Sequence, residues 1–121
     1  MLSENYGRII ATMARAAERA GRDPQTVLLV AISKQVPIKL IREAIDCGQT
    51  VFGENYLQEA LGKQAELTDL PLSWHFIGPI QSNKTRAIAE HFAWVHSVDR
   101  LKIAQRLSEQ RPADLPPLNI C

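Results

Sequence analysis

The 121-residue chain is expected to be an α/β protein built on a parallel sheet, and three features of the sequence predict this. Short apolar runs rich in β-branched and aromatic residues begin roughly every 21 to 25 residues. Each is followed by a stretch with helical spacing of its apolar positions. The first run, Val27-Leu28-Leu29-Val30-Ala31-Ile32-Ser33-Lys34, is continuous and bounded by Pro24 and Pro37, the pattern of a strand buried on both faces. Two architectures fit this period: a five-stranded doubly wound domain of flavodoxin type, or the first part of a (β/α)8 barrel, a fold of about 250 residues. The chain stops inside a strand-like run, Leu118 to Cys121, which favours the barrel. Half a barrel would expose an open sheet edge and an apolar inner face, through which the chain would self-associate.

The elements follow in order. From Leu2 to Ala20 the positions Tyr6, Ile9, Ile10, Met13, Ala16, Ala17 and Ala20 recur at helical spacing, with Ser3 as the expected N-cap. Gly21 and Asp23-Pro24 stop that helix, and a strand over Val27–Ser33 follows. Pro37 opens a helix that reaches Cys47 and ends at Gly48. Thr50–Phe52 is a short strand, and Gly53-Glu54-Asn55 turns into a helix over Tyr56–Leu67. Leu72–Ile77 is the third strand, broken by Gly78-Pro79, after which Ser82 or Asn83 caps a helix ending near His91. Ala93–Ser97 is the fourth strand. Asp99 caps the last helix, which ends at Arg111-Pro112, and Pro116-Pro117 leads into the opening of a fifth strand. No linker divides residues 1–121, so one domain is expected.

Composition narrows the function. Fourteen basic residues against thirteen acidic ones, a formal net charge of +1, give no electrostatic case for nucleic acid or an anionic membrane as partner. No apolar stretch is long enough to span a bilayer, and Glu4, Arg8, Arg15 and Glu18 interrupt any signal-peptide core. Cys47 and Cys121 lack metal-ligand spacing and fit reduced thiols in a cytoplasmic protein. There is no GxGxxG, Walker or G-x-S-x-G sequence, and no zinc-type His/Cys spacing.

In either architecture, functional groups collect at the C-terminal ends of the strands. Those ends carry Ser33-Lys34, Gly53-Glu54-Asn55, His75 to Gly78, and His96-Ser97 before Asp99. A lysine closing a buried strand loses solvation, which brings its neutral amine within reach, and a neutral lysine condenses with aldehydes to a Schiff base. The plainer reading is a lysine that extends its head into water. By strand alternation Lys34 lies on the face of Val30 and Ile32, and His75 on the face of Ile77. If those faces line a barrel interior, Lys34 and His75 converge on one mouth. The plainer readings are a core histidine at His75, helix caps at Asn55, Ser97 and Asp99, and barrel-to-helix packing for Trp74 and Trp94.

Four segments together resemble a known family: Ala31-Ile32-Ser33-Lys34, Phe52-Gly53-Glu54-Asn55-Tyr56-Leu57-Gln58-Glu59, Trp74 through Lys84, and His96-Ser97-Val98-Asp99-Arg100. The chain is identified by them as similar to the pyridoxal phosphate homeostasis (YggS/PROSC-type) proteins over its whole length. The resemblance implies an alanine racemase-like, fold-type III (β/α)8 barrel with a preceding N-terminal helix. It implies pyridoxal 5'-phosphate as cofactor, held as a Schiff base on Lys34, with Asn55, His75 and Ser97 around the pyridine ring and Ile77 and Gly78 in matched motifs. It also implies a role in vitamin B6 homeostasis without catalytic turnover, with apo-enzymes that use the cofactor as partners. The competing reading is an amino-acid racemase, for which no second acid/base tyrosine stands at a rim position.

Two departures from the family pattern follow. The segment Ser33-Lys34-Gln35-Val36-Pro37 lacks the second lysine of the family's usual S-K-T-K-P. Family members are about twice this length, as a complete barrel requires, and their phosphate-holding turns and pyridine-facing arginine lie in later strands. The chain is therefore expected to be an N-terminal part that carries the lysine without the phosphate grip and binds the cofactor weakly.

Overall fold

Five parallel strands lie side by side in the order in which they occur along the chain. The computed structural model describes residues 1–121. Its elements are α1 (Leu2–Arg19), β1 (Ala31–Ile32), α2 (Ile38–Asp46), β2 (Val51–Glu54), α3 (Leu57–Glu66), β3 (Ser73–Phe76), α4 (Thr85–His91), β4 (Trp94–Val95), α5 (Leu101–Gln110) and β5 (Asn119–Ile120). A doubly wound sheet of flavodoxin type has its first strand inside the sheet, in the order 2-1-3-4-5. Here β1 lies at an edge and the order is sequential, so that alternative falls.

The register sorts the strand residues onto two faces. Phe52 pairs with Trp74 and Phe76 with Val95, and all four lie in the hydrophobic core. Helix residues Ile41, Leu57, Ala60, Ile88, Ile103 and Leu107 complete that core, so the helices α2 to α5 cover this face. The opposite face carries the row Ile32, Gly53, His75, Trp94 and Asn119. Val30 joins it: a Cβ built on Gly53 would lie 2.9 Å from Ile32 Cδ1 and 3.1 Å from Val30 Cγ1.

The long strand expected over Val27–Ser33 shortens to two ladder residues, and it is not buried on both faces. Leu28 is 59% exposed and Ile32 47%. Helices cover only the side facing the core, so apolar side chains on the other side of β1 meet solvent. Before Ala31 a side chain replaces the backbone ladder: the buried Gln49 amide donates to Leu29 O at 2.8 Å and Val51 O at 2.7 Å. Tyr6 donates to Gln49 Oε1, which ties α1 to the start of the sheet.

Helix ends depart from expectation in the same direction each time. Met1, Pro37, Tyr56, Lys84 and Arg100 are the N-caps, and none makes a side-chain cap bond. Ser3 lies inside α1, Ser82 and Asn83 form a single 3-10 turn before α4, and Asp99 precedes the cap of α5. The stops are as expected: Gly21 (φ 71°), Gly48 (φ 107°) and Gly78 (φ 90°) take left-handed conformations.

Candidate functional site at the C-terminal ends of the strands

Two residues beyond the row Ile32, Gly53, His75 and Trp94, the same count along each strand reaches Lys34, Asn55, Ile77 and His96. Parallel pairing continues into this level, with Ser33 N donating to Gly53 O, Ile77 N to Glu54 O and His96 N to Phe76 O. The register thus assembles one rim from four elements distant in sequence.

Lys34 occupies a turn closed by Val36 N donating to Ser33 O at 3.0 Å. It is exposed, so the desolvation expected of a lysine closing a buried strand is not found. The chain leaves the sheet after Ile32, and Lys34 sits on the turn above it. Gln35, the next residue, has φ 59° and is the one non-glycine residue in the left-handed region. Such a conformation costs about 1–3 kcal/mol and persists where the surroundings over-determine it.

The surroundings do so here through a buried ionic cluster on the helix side of the sheet. Lys63 Nζ, on α3, donates to Ser33 O at 2.5 Å, to Glu54 Oε2 at 2.9 Å and to Glu59 Oε2 at 2.7 Å. Its ammonium has three N–H donors, and each has an acceptor. Ser33 Oγ donates to Glu54, and Gln35 N donates to Glu59 Oε2 at 2.5 Å. Glu54 is fully buried and its Oε1 has no partner. The Lys63 hydrogen bond, followed by that from Gln35, holds the Glu59 carboxyl below the usual carboxylate range.

Across the rim, His75 Nδ1 and His96 Nε2 are 2.9 Å apart, one donating to the other according to tautomer. His75 is 2% exposed, and its ring stacks on Trp94 at 5.6 Å between centroids. Burial first, and the charge of His96 second, lower its pKa to about 4, so at neutral pH it is an uncharged donor and acceptor. Trp94 therefore packs on the histidine face and not against helices. Trp74, 5.6 Å from Phe52, packs as expected in the core.

The expected site residues divide as follows. His75 and Ile77 lie on the face shared by Ile32 and Gly53: a Cβ on Gly53 would also meet Ile77 Cδ1 at 3.7 Å. Asn55 and Gly78 are neighbours, a Cβ on Gly78 lying 3.5 Å from Asn55 Cβ. Asn55 does not cap α3, whose N-cap is Tyr56. Ser97 is exposed at the end of β4, beside His96. The sequence reading places His96 and Glu54 among the strand-end groups but gives neither a role, and it does not link Glu54 and Glu59 to Lys63. His96 had a signal in its two-residue spacing from Trp94, and Glu59 and Lys63 in their i,i+4 spacing. Glu54 has none beyond its place among the strand-end groups; the sequence puts it in the turn after Phe52, whereas β2 runs through it.

No family model matches the chain. It is 71% identical over 120 residues to the pyridoxal phosphate homeostasis protein of Pseudomonas aeruginosa, covering 99% of this chain and 52% of that protein. Among solved structures, PipY of Synechococcus elongatus with PLP bound superposes with a TM-score of 0.69 at 52% identity, covering 81% of this chain and 47% of PipY. An unknown protein from Bifidobacterium adolescentis superposes with a TM-score of 0.78 at 29% identity, over 90% of this chain and 49% of the other. The chain thus spans about half the length of the curated relatives it matches, and the resemblance expected from its motifs extends through nearly all of it.

Proposed function

We propose that these residues belong to a pyridoxal 5'-phosphate-binding protein of vitamin B6 homeostasis, working in the cytoplasm, and that Lys34 is the residue that bears the cofactor. The observation that carries the proposal is the exposed Lys34 amine on a turn pinned from both sides, level with Asn55, Ile77 and His96. The donor set fits the group. Bound there, pyridoxal phosphate supplies an aldehyde whose carbonyl carbon bonds to the Lys34 nitrogen as a Schiff base, with loss of water. His75, His96 and Asn55 are uncharged or polar groups suited to a heteroaromatic ring and its hydroxyl, with Trp94 behind His75. Ser97 and Gly78 border the same rim, where Gly78 takes the left-handed conformation (φ 90°) beside Asn55.

Sequential parallel order and half-length similarity to PipY support the further reading that residues 1–121 form part of a (β/α)8 barrel. On that reading the protein holds and delivers the cofactor, to apo-enzymes that need it, without turnover of its own.

The test is incubation with pyridoxal phosphate, reduction with borohydride and peptide mass mapping. A pyridoxyl adduct concentrated on Lys34 is expected. Adducts spread evenly over exposed lysines such as Lys39 and Lys102, or none at all, would overturn the assignment. Time-dependent loss of optical rotation in an alanine solution would replace the carrier by a racemase.

A further inference from the structure

The Lys34 side chain makes no hydrogen bond or ion pair that would orient it, yet the backbone on either side of it is held by bonds to charged groups. Ser33 O accepts from the Lys63 ammonium and Gln35 N donates to the Glu59 carboxylate, which the same ammonium also holds. Both are hydrogen bonds to charged groups, about twice as strong as neutral ones. The buried Glu54 carboxylate takes the third Lys63 donor and the Ser33 hydroxyl. Burying an ionic cluster beneath a sheet rim is costly, and well-packed apolar residues in such a place often serve stability as well. What an apolar core would not do is grip two backbone groups flanking one residue and hold Gln35 at φ 59°.

We infer that Lys63 is a positioning residue for Lys34: through Ser33 O directly and Gln35 N by way of Glu59, it fixes the turn from which the Lys34 amine meets its aldehyde. Lys63 itself touches no ligand. The inference rests on the reading of Lys34 as the cofactor-bearing residue, and it explains why a strand-end lysine that solvent reaches would react ahead of other exposed lysines. Pre-setting the turn removes the loss of backbone freedom from the bonding step.

Two variants test it, Lys63→Met and Glu59→Gln, each read in two ways. The first readout uses no cofactor: amide hydrogen exchange at Gln35 and Val36, measured residue by residue by NMR. Exchange there should quicken about 10-fold or more in both variants, relative to amides of β3, on losing one charge-assisted bond. The second is the ratio of borohydride-trapped pyridoxyl adduct on Lys34 to that on Lys39 and Lys102 within the same sample. It should fall about 10-fold in Lys63→Met and less in Glu59→Gln. A substitution that only lowered overall stability would quicken exchange throughout and leave that ratio alone, which would overturn the inference. So would an unchanged ratio together with unchanged exchange at Gln35. If Lys63→Met does not fold, Glu59→Gln decides, since Glu59 is partly exposed and the Lys63–Glu54 pair remains. A parent chain with no preference for Lys34 would instead defeat the assignment of Lys34, whereas a preference that survives both variants defeats only the role of Lys63.

Discussion

His75 shows how a residue's surroundings set its chemistry. Its pKa, lowered from 6.5 to about 4 by burial first and by His96 second, means that the unfolded chain binds the proton more readily than the folded one. Stability from this group is therefore complete above about pH 6.5 and is lost as the pH falls toward 4. Urea midpoints should drop across that window, and His75→Gln should flatten the drop. An equal slope in the variant would assign the effect to other groups. Glu59, whose carboxyl is lowered by Lys63, adds to the loss of stability at still lower pH. Gly78 is the second residue where local conformation decides. At φ 90° it disfavours any side chain, although the nearest atom to a new Cβ is at an ordinary 3.5 Å. Gly78→Ala should cost about 1–2 kcal/mol in denaturant titration, from backbone strain and not from a clash.

At the scale of elements, the regular pattern in the sequence translated well where the period and the breakers agreed. The five helices and five strands follow in the expected order, although β1 is reduced from Val27–Ser33 to Ala31–Ile32. The caps did not, because a cap is a matter of a few degrees in one or two residues: Ser3, Ser82, Asn83 and Asp99 were plausible, and none makes the bond. Other groups close the helix ends. Arg111 donates to Ala89 O and Phe92 O at the end of α4 and to Pro116 O in the loop before β5. Burial lowers the pKa of its guanidinium, which stays charged all the same. Arg111→Met should cost about 2 kcal/mol and quicken amide exchange at Asn119 and Cys121, whose N–H groups pair with β4. Phe52→Ala, in the core between the sheet and the helices, should cost more, about 3–5 kcal/mol in the same titration.

The whole molecule has one covered and one uncovered side. Sequential parallel strands put the helices on one face, and Ile32, 47% exposed, lies on the other. We therefore expect concentration-dependent association in sedimentation velocity, and Ile32→Ser should shift the distribution toward monomer. A single monomeric species at every concentration would show that the exposed face is not a contact surface.

Lys34, read as closing a buried strand, lies on the exposed turn after β1, whereas the parallel α/β class and the period of the elements were legible in the sequence. These are local matters, written in side-chain alternation and in Gly and Pro. Its motifs also led to the pyridoxal phosphate homeostasis proteins that the chain resembles. The choice between the two sheet orders came from the strand pairing, which leaves no mark in the period of any one strand. The tertiary structure likewise brought His96 onto His75 across 21 residues and Lys63 under Ser33 across 30. Such contacts depend on register and on the packing of α3 against the sheet, and on no pattern that a single segment carries.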